Sequence, residues 1–74
     1  MKMIKLNNKD FSIEGDSSLD KLLEIAKNDS FNELVMKSPF MVIVNDKYIS
    51  EEFYSSIVIK ENDDVKLIPM LLGG

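Results

Sequence analysis

The sequence predicts an α+β fold: a mixed sheet of four to five strands with one principal helix packed on one face. Three observations lead there. Short alternating or apolar segments bounded by asparagine and aspartate lie at both ends of the chain. The stretch from Leu19 to Ala26 carries its apolar residues at helical spacing. And 74 residues, 45% hydrophobic and 30% charged, suffice for one domain with a small core but not for a core and a deep substrate pocket together.

Met1 to Leu6 alternates, with Ile4 and Leu6 on one face and Met3 and Lys5 on the other, and reads as a strand. Asn7-Asn8-Lys9-Asp10 is a turn cluster, because asparagine tolerates positive φ. Phe11 to Glu14 alternates again, so residues 1–14 form a β-hairpin that Gly15-Asp16 ends. Ser17 to Asp20 has the spacing of a capping box. Leu19, Leu22, Leu23 and Ala26 then make one apolar helical stripe, a core face, opposite Asp20, Lys21, Glu24 and Lys27. Ser30 to Val35 is compatible with a second short helix ending before Pro39, or with a kink or loop.

Met41-Val42-Ile43-Val44 is a continuous apolar run and predicts a buried central strand. Asn45-Asp46 turns it into a brief return at Tyr48-Ile49, and Glu51 to Ser56 is a loop or a single helical turn. Ile57 to Ile59 is a short strand, Glu61 to Asp64 a polar turn, and Val65 to Ile68 the last strand. Pro69 cannot donate to a ladder and marks the end of sheet pairing. A right-handed crossover through the helix lets the Phe11 and Met41 strands run parallel. The aromatic residues Phe11, Phe40, Phe53, Tyr48 and Tyr54 read as packing residues. Residues 1–70 are thus the domain and 71–74 a flexible tail.

Composition excludes several functions. There is no cysteine and no histidine, hence no disulfide, no thiolate metal site and neither of the commonest nucleophile–base pairs. Thirteen acidic residues against nine lysines give a net charge of −4, the wrong sign for a nucleic-acid footprint. An acidic surface suits a basic groove on a partner protein, and it also simply keeps a small domain soluble. No apolar run approaches a membrane span and no signal peptide follows Met1, so the expected location is the cytoplasm. Glu51-Glu52 and Asp63-Asp64 are adjacent acids in polar turns and read as solvated charges, which makes a free-standing enzyme the weakest reading.

The C-terminus is the most informative segment. Pro69-Met70-Leu71-Leu72 leads into Gly73-Gly74. Glycine loses the most backbone entropy on ordering and packs nothing, so a diglycine end gains chiefly in slenderness. Such a tail threads a narrow channel and presents a bare α-carboxylate; the alternative is an ordinary frayed terminus.

Taken together, the chain resembles the ubiquitin-like sulfur-carrier proteins of the ThiS/MoaD type, a β-grasp family of thiamin and molybdopterin biosynthesis. Ser18-Leu19-Asp20-Lys21-Leu22-Leu23 is similar to the family's helix opening, and Val42 to Asp46 to its Val-x-Val-Asn-Gly strand and turn. Asn62 to Pro69 is similar to its Gly-Asp-x-Val-x-Ile-x-Pro segment, and Gly73-Gly74 to its terminus. Asp46 and Asp63 stand where the family favours glycine, although aspartate also accepts a left-handed turn. The stretch Asn28 to Phe40 is longer than in the shortest thiamin-type carriers.

The resemblance implies that the Gly74 carboxylate is the modified group: a separate ubiquitin-activating-type enzyme adenylates it with ATP and magnesium, and sulfur then replaces one oxygen. No cofactor binds this chain, because a phosphate-binding glycine loop is missing and ATP belongs to the partner. The implied partners are the adenylating enzyme, a sulfurtransferase or cysteine desulfurase as sulfur source, and thiazole synthase or the molybdopterin synthase large subunit as acceptor. Gly73, Leu72 and Leu71 would serve as tail, and Ile68 and Met70, with Met3, as a docking surface on the outward sheet face. A protein modifier joined through Gly74 to lysines, and a plain interaction module with incidental glycines, are the other readings.

Overall fold

A computed structural model describes residues 2–28 and 39–70. The chain opens with β1 (Lys2–Leu6) and β2 (Lys9–Ile13), antiparallel from Leu6 opposite Lys9 to Lys2 opposite Ile13. The turn between them is tighter than the sequence predicts. Only Asn7 and Asn8 turn, with φ of 50° and 67°, and Lys9 and Asp10 are already in the strand. Positive φ at both central residues gives a two-residue hairpin turn whose twist matches the strands, and asparagine is among the few side chains that accept it.

Ser17–Ser18 forms a two-residue strand, β3, before helix α1 (Leu19–Asn28). The capping box is not used. The amides of Leu19 and Asp20 donate instead to the backbone carbonyls of Ile57 and Tyr54, at 2.8 and 3.2 Å, and Lys21 N–H donates to the Asp20 carboxylate. Backbone acceptors arriving from a distant segment take the place of the Ser17 hydroxyl, satisfying the same orphan donors. The expected second helix, Ser30 to Val35, lies outside the described residues.

After it come β4 (Phe40–Val44), a turn at Asn45-Asp46, β5 (Lys47–Ile49), a 3₁₀ turn (Glu51–Phe53), β6 (Val58–Ile59) and β7 (Asp64–Pro69). The main sheet has five strands in the order β2-β1-β7-β4-β5. A second sheet, not anticipated from sequence, pairs β3 with β6. β1 and β7 are parallel, and the other pairs of the main sheet are antiparallel. β2 and β4 therefore point the same way, as the crossover requires, but β1 and β7 lie between them. The central strand is β7 and not the Met41 run. An apolar run reports burial on both faces, and β4 is half-covered on its outer face at Met41 and Ile43 rather than placed at the centre.

The core fills one side of the main sheet. Ile4, Leu6 and Ile13 from the hairpin meet Leu19, Leu22 and Ala26 from the helix, with Val42, Val44, Ile49, Ile59, Val65 and Leu67 completing it. Leu23, Phe11, Phe40, Tyr54 and Ile57 pack around that centre. Each fully buried aliphatic side chain contributes about 1.5–3 kcal/mol before entropy is counted. At the far corner the Lys2 ammonium pairs with Asp16; their hydrogen bond raises the lysine pKa and lowers that of the carboxyl.

Leu22 is wholly buried, whereas Ile25 on the same helix is 40% exposed. Leu22→Ala should lower the unfolding free energy by about 2–5 kcal/mol, and Ile25→Ala by less than about 1 kcal/mol. Urea denaturation of the two variants measures this, and equal losses would contradict the assigned helix face.

Candidate functional site at the root of the C-terminal tail

β7 carries the chain to its C-terminal end, so the geometry of this strand sets where the tail begins. Val65 and Leu67 point into the core, and Lys66, Ile68 and Met70 alternate onto the opposite face, as the sequence predicts. On that outer face Ile68 stands opposite Met41, and Lys66 opposite Ile43, which itself faces Tyr48. Ile68, Met41, Ile43 and Tyr48 thus form a continuous apolar strip that leads to Met70.

Three sequence readings change here. Met3 is outward-facing and 43% exposed, but it does not join Ile68 and Met70. Its carbonyl accepts from Asn62 N–H, which sets it level with the start of β7. Met70 is eight residues further on, about 26 Å along the strand. Tyr48, read as a packing residue, is 61% exposed because β5 is an edge strand and the ring lies on its outer face. Phe53 likewise projects from the 3₁₀ turn, whereas Phe11, Phe40 and Tyr54 do pack against the core.

Pairing does not stop at Pro69. The strand includes it, opposite Phe40, and Met70 N–H donates to the Pro39 carbonyl at 2.9 Å. In β7 the even-numbered residues hydrogen-bond toward β4 and the odd-numbered ones toward β1, so the donor that proline lacks faces the side where the β1 ladder has ended. Beside Met70 lies a groove of about 330 Å³ whose apolar walls include Phe40, Met41, Tyr48 and Tyr54. Burial, reinforced by the Glu51 carboxylate, pushes the Tyr54 hydroxyl pKa up, so it is protonated and neutral at neutral pH.

Two asparagines grip β7 from its two sides, which sequence reasoning missed. Asn45 (φ 51°) accepts from Asp64 N–H at 2.9 Å through its side chain and donates to the Asp63 carboxylate at 3.0 Å. Asn7 accepts from Leu67 N–H at 2.7 Å and donates to the Leu67 carbonyl at 3.2 Å. Asp46 takes the left-handed conformation (φ 68°) in place of the family's glycine. At the later turn it is Asn62 (φ 71°), not Asp63, that does so. Asp63 instead accepts from Lys60 N–H at 2.7 Å, so its carboxylate builds the turn and is not merely solvated.

The described chain ends at Met70, so Leu71, Leu72, Gly73 and Gly74 lie outside the described residues. Among those described, no group of three acidic side chains is arranged to hold a metal ion, and no helix is long and apolar enough to cross a membrane.

A mixed five-stranded sheet with one described helix packed on its inner face defines a small α+β domain of the β-grasp class. The ThiS family model matches residues 4–74, and the chain belongs to that family. The fold is also similar to the crystal structure of the thiamine biosynthesis protein (ThiS) from Geobacter metallireducens. The TM-score is 0.73 at 20% identity, over 97% of this chain and 99% of that one. No curated protein matches significantly. The β-grasp expectation is borne out by the five-stranded mixed sheet and its single described helix.

Tyr48→Thr should leave the unfolding free energy within about 0.5 kcal/mol of wild type, because the ring is largely solvated and threonine keeps β propensity. Leu67→Ala, one strand position from the same surface but buried, should cost about 2–5 kcal/mol. Comparable losses in a urea titration would show that Tyr48 packs and does not belong to a free surface.

Proposed function

We propose that this chain is a sulfur carrier of thiamin biosynthesis, a protein co-substrate that is not itself an enzyme. The observation that carries the reading is the ThiS family match across residues 4–74, a span that includes Gly73-Gly74. The chemistry of the residues supports it. A carboxylate is a poor electrophile, and an acyl-adenylate is a good one. The chain has no cysteine, no histidine and no glycine-rich phosphate loop, so activation and sulfur both come from outside.

In this reading residues 1–70 are the docking domain and 71–74 the working tail. A Gly74 carboxylate oxygen attacks the α-phosphorus of ATP in the adenylating partner, and magnesium pyrophosphate leaves. The persulfide of a cysteine desulfurase or sulfurtransferase attacks the acyl carbon through its outer sulfur, and AMP leaves. A second thiol then attacks the inner sulfur of the acyl disulfide, releasing the thiocarboxylate and leaving a disulfide on the donor. The thiocarboxylate then passes its sulfur to thiazole synthase. Gly73 lets the chain enter a narrow channel, because a Cβ there and at Gly74 would meet its walls. Leu71 and Leu72 fill apolar subsites beside that channel. Ile68 and Met70 dock on the partner; both lie on the outward strip and Met70 is 43% exposed, so neither is committed to this chain's own core. Methionine also adapts to several partners in turn, which a carrier handed between enzymes requires. Its setting in this reading is the cytoplasm, where ATP and the sulfur source are found.

ATP–pyrophosphate exchange by the adenylating enzyme of the same cell tests this. The wild-type chain should stimulate exchange, Gly74→Ala should abolish it, and Ile68→Asp with Met70→Asp should raise the KM for the carrier about tenfold or more. Unchanged exchange with Gly74→Ala would overturn the assignment of Gly74, and conjugates to lysines in place of sulfur transfer would favour a protein modifier.

A further inference from the structure

The registered β1–β7 ladder is short. It pairs Lys5 with Asp64 and Leu6 with Val65. Asn7 N–H adds one more bond, to the Val65 carbonyl at 2.9 Å, and there β1 turns away into its hairpin. Leu67 is the next residue of β7 to face that side. In an unbroken parallel ladder its N–H would meet the backbone carbonyl of residue 7, and its carbonyl would meet the N–H of residue 9. Residue 9 already belongs to β2. Leu67 is also 2% exposed, so water does not easily serve its backbone, and an unmet pair there is costly.

The Asn7 carboxamide replaces both missing groups. Its oxygen accepts from Leu67 N–H and its nitrogen donates to the Leu67 carbonyl. A carboxamide is the one neutral side-chain group that offers donor and acceptor side by side as a peptide does. Asn7 reaches Leu67 because its backbone is left-handed, which aims the side chain along the vacated ladder. On the other side of β7, Met70 N–H is tied to the Pro39 carbonyl. The strand is therefore held on both sides to within a few residues of the tail.

We propose that Asn7 is a positioning residue for the activation of Gly74: it carries the parallel ladder past the end of β1 and so sets the direction in which the tail leaves the sheet. The proposal rests on the sulfur-carrier reading. Docking through Ile68 and Met70 brings the domain to the partner, and the orientation of β7 from Leu67 onward decides how often the carboxylate stands in line with the α-phosphorus. Loosening Leu67 lowers the rate at saturation while leaving docking intact, because a small misplacement of a reacting group is costly and the outward strip is unchanged.

Asn7→Gly is the primary variant, since glycine keeps the left-handed turn and removes only the carboxamide. Asn45→Gly is the matched control: it also sits in a left-handed turn with two side-chain bonds to β7 and its approach, but at the strand's far end. Amide exchange first verifies the clamp, as Leu67 N–H should exchange faster in Asn7→Gly and not in Asn45→Gly. In ATP–pyrophosphate exchange well below the melting temperature, Asn7→Gly should lower kcat about tenfold with KM within about twofold, and Asn45→Gly should leave both within about twofold. Asn7→Asp, which keeps the acceptor and loses the donor, should fall between Asn7→Gly and wild type. A wild-type kcat in Asn7→Gly despite faster Leu67 exchange would overturn the proposal, as would equal losses in Asn7→Gly and Asn45→Gly. If the wild-type chain itself stimulates no exchange by a demonstrably active enzyme, the sulfur-carrier reading falls and this proposal falls with it.

Discussion

The structure depends on how β7 is held. It is the last described strand and the central strand of the main sheet, with β1 on one side and β4 on the other. A terminal strand at an edge would fray; one in the middle is tied on both sides and buries Val65 and Leu67. The parallel side is the weaker, because β1 must reverse into its hairpin after Leu6. The Asn7 carboxamide extends that side to Leu67, and Met70 N–H on Pro39 extends the other. The helix and the small β3–β6 sheet cover the inner face, and the outer face carries Met41, Ile43 and Ile68.

The proposed function separates two tasks that a larger enzyme would combine. In that reading the domain binds and orients, and the reaction occurs beyond it on a carboxylate that a partner activates. The missing cysteine, histidine and phosphate loop are consistent with that division. So is the turn chemistry. Among the described residues the five left-handed ones, Asn7, Asn8, Asn45, Asp46 and Asn62, are all asparagine or aspartate, so polar side chains take turn positions that glycine would fill. At Asn7 and Asn45 the side chain then serves a second purpose, bonding β7, which glycine could not do. The neighbouring strand is thereby tied to the turn itself.

Much of the architecture is legible in the sequence because it rests on local periodicity. The alternation of Ile4 and Leu6, the Leu19–Leu22–Ala26 stripe and the inward Val65 and Leu67 all hold. What is not legible depends on contacts distant in sequence. Ser17 spells a capping box, yet the carbonyls of Tyr54 and Ile57 reach the helix start first. The Met41 run looks central, but strand order is a matter of topology and not of hydropathy. Tyr48 and Phe53 look like core residues, because an aromatic side chain has the same composition in a core as on an interface. Asn7 reads as a residue chosen for its φ, and nothing in a single sequence signals that its amide spans 60 positions to Leu67.

In the proposed function the Gly74 carboxylate is the reacting group. The most direct measurement is the intact mass, with fragmentation, of the chain isolated from its own cells under non-reducing conditions. A sulfur carrier should show a population heavier by the exchange of one oxygen for one sulfur, with the change confined to Gly74. An unmodified Gly74 in cells that are actively making thiamin thiazole would contradict it.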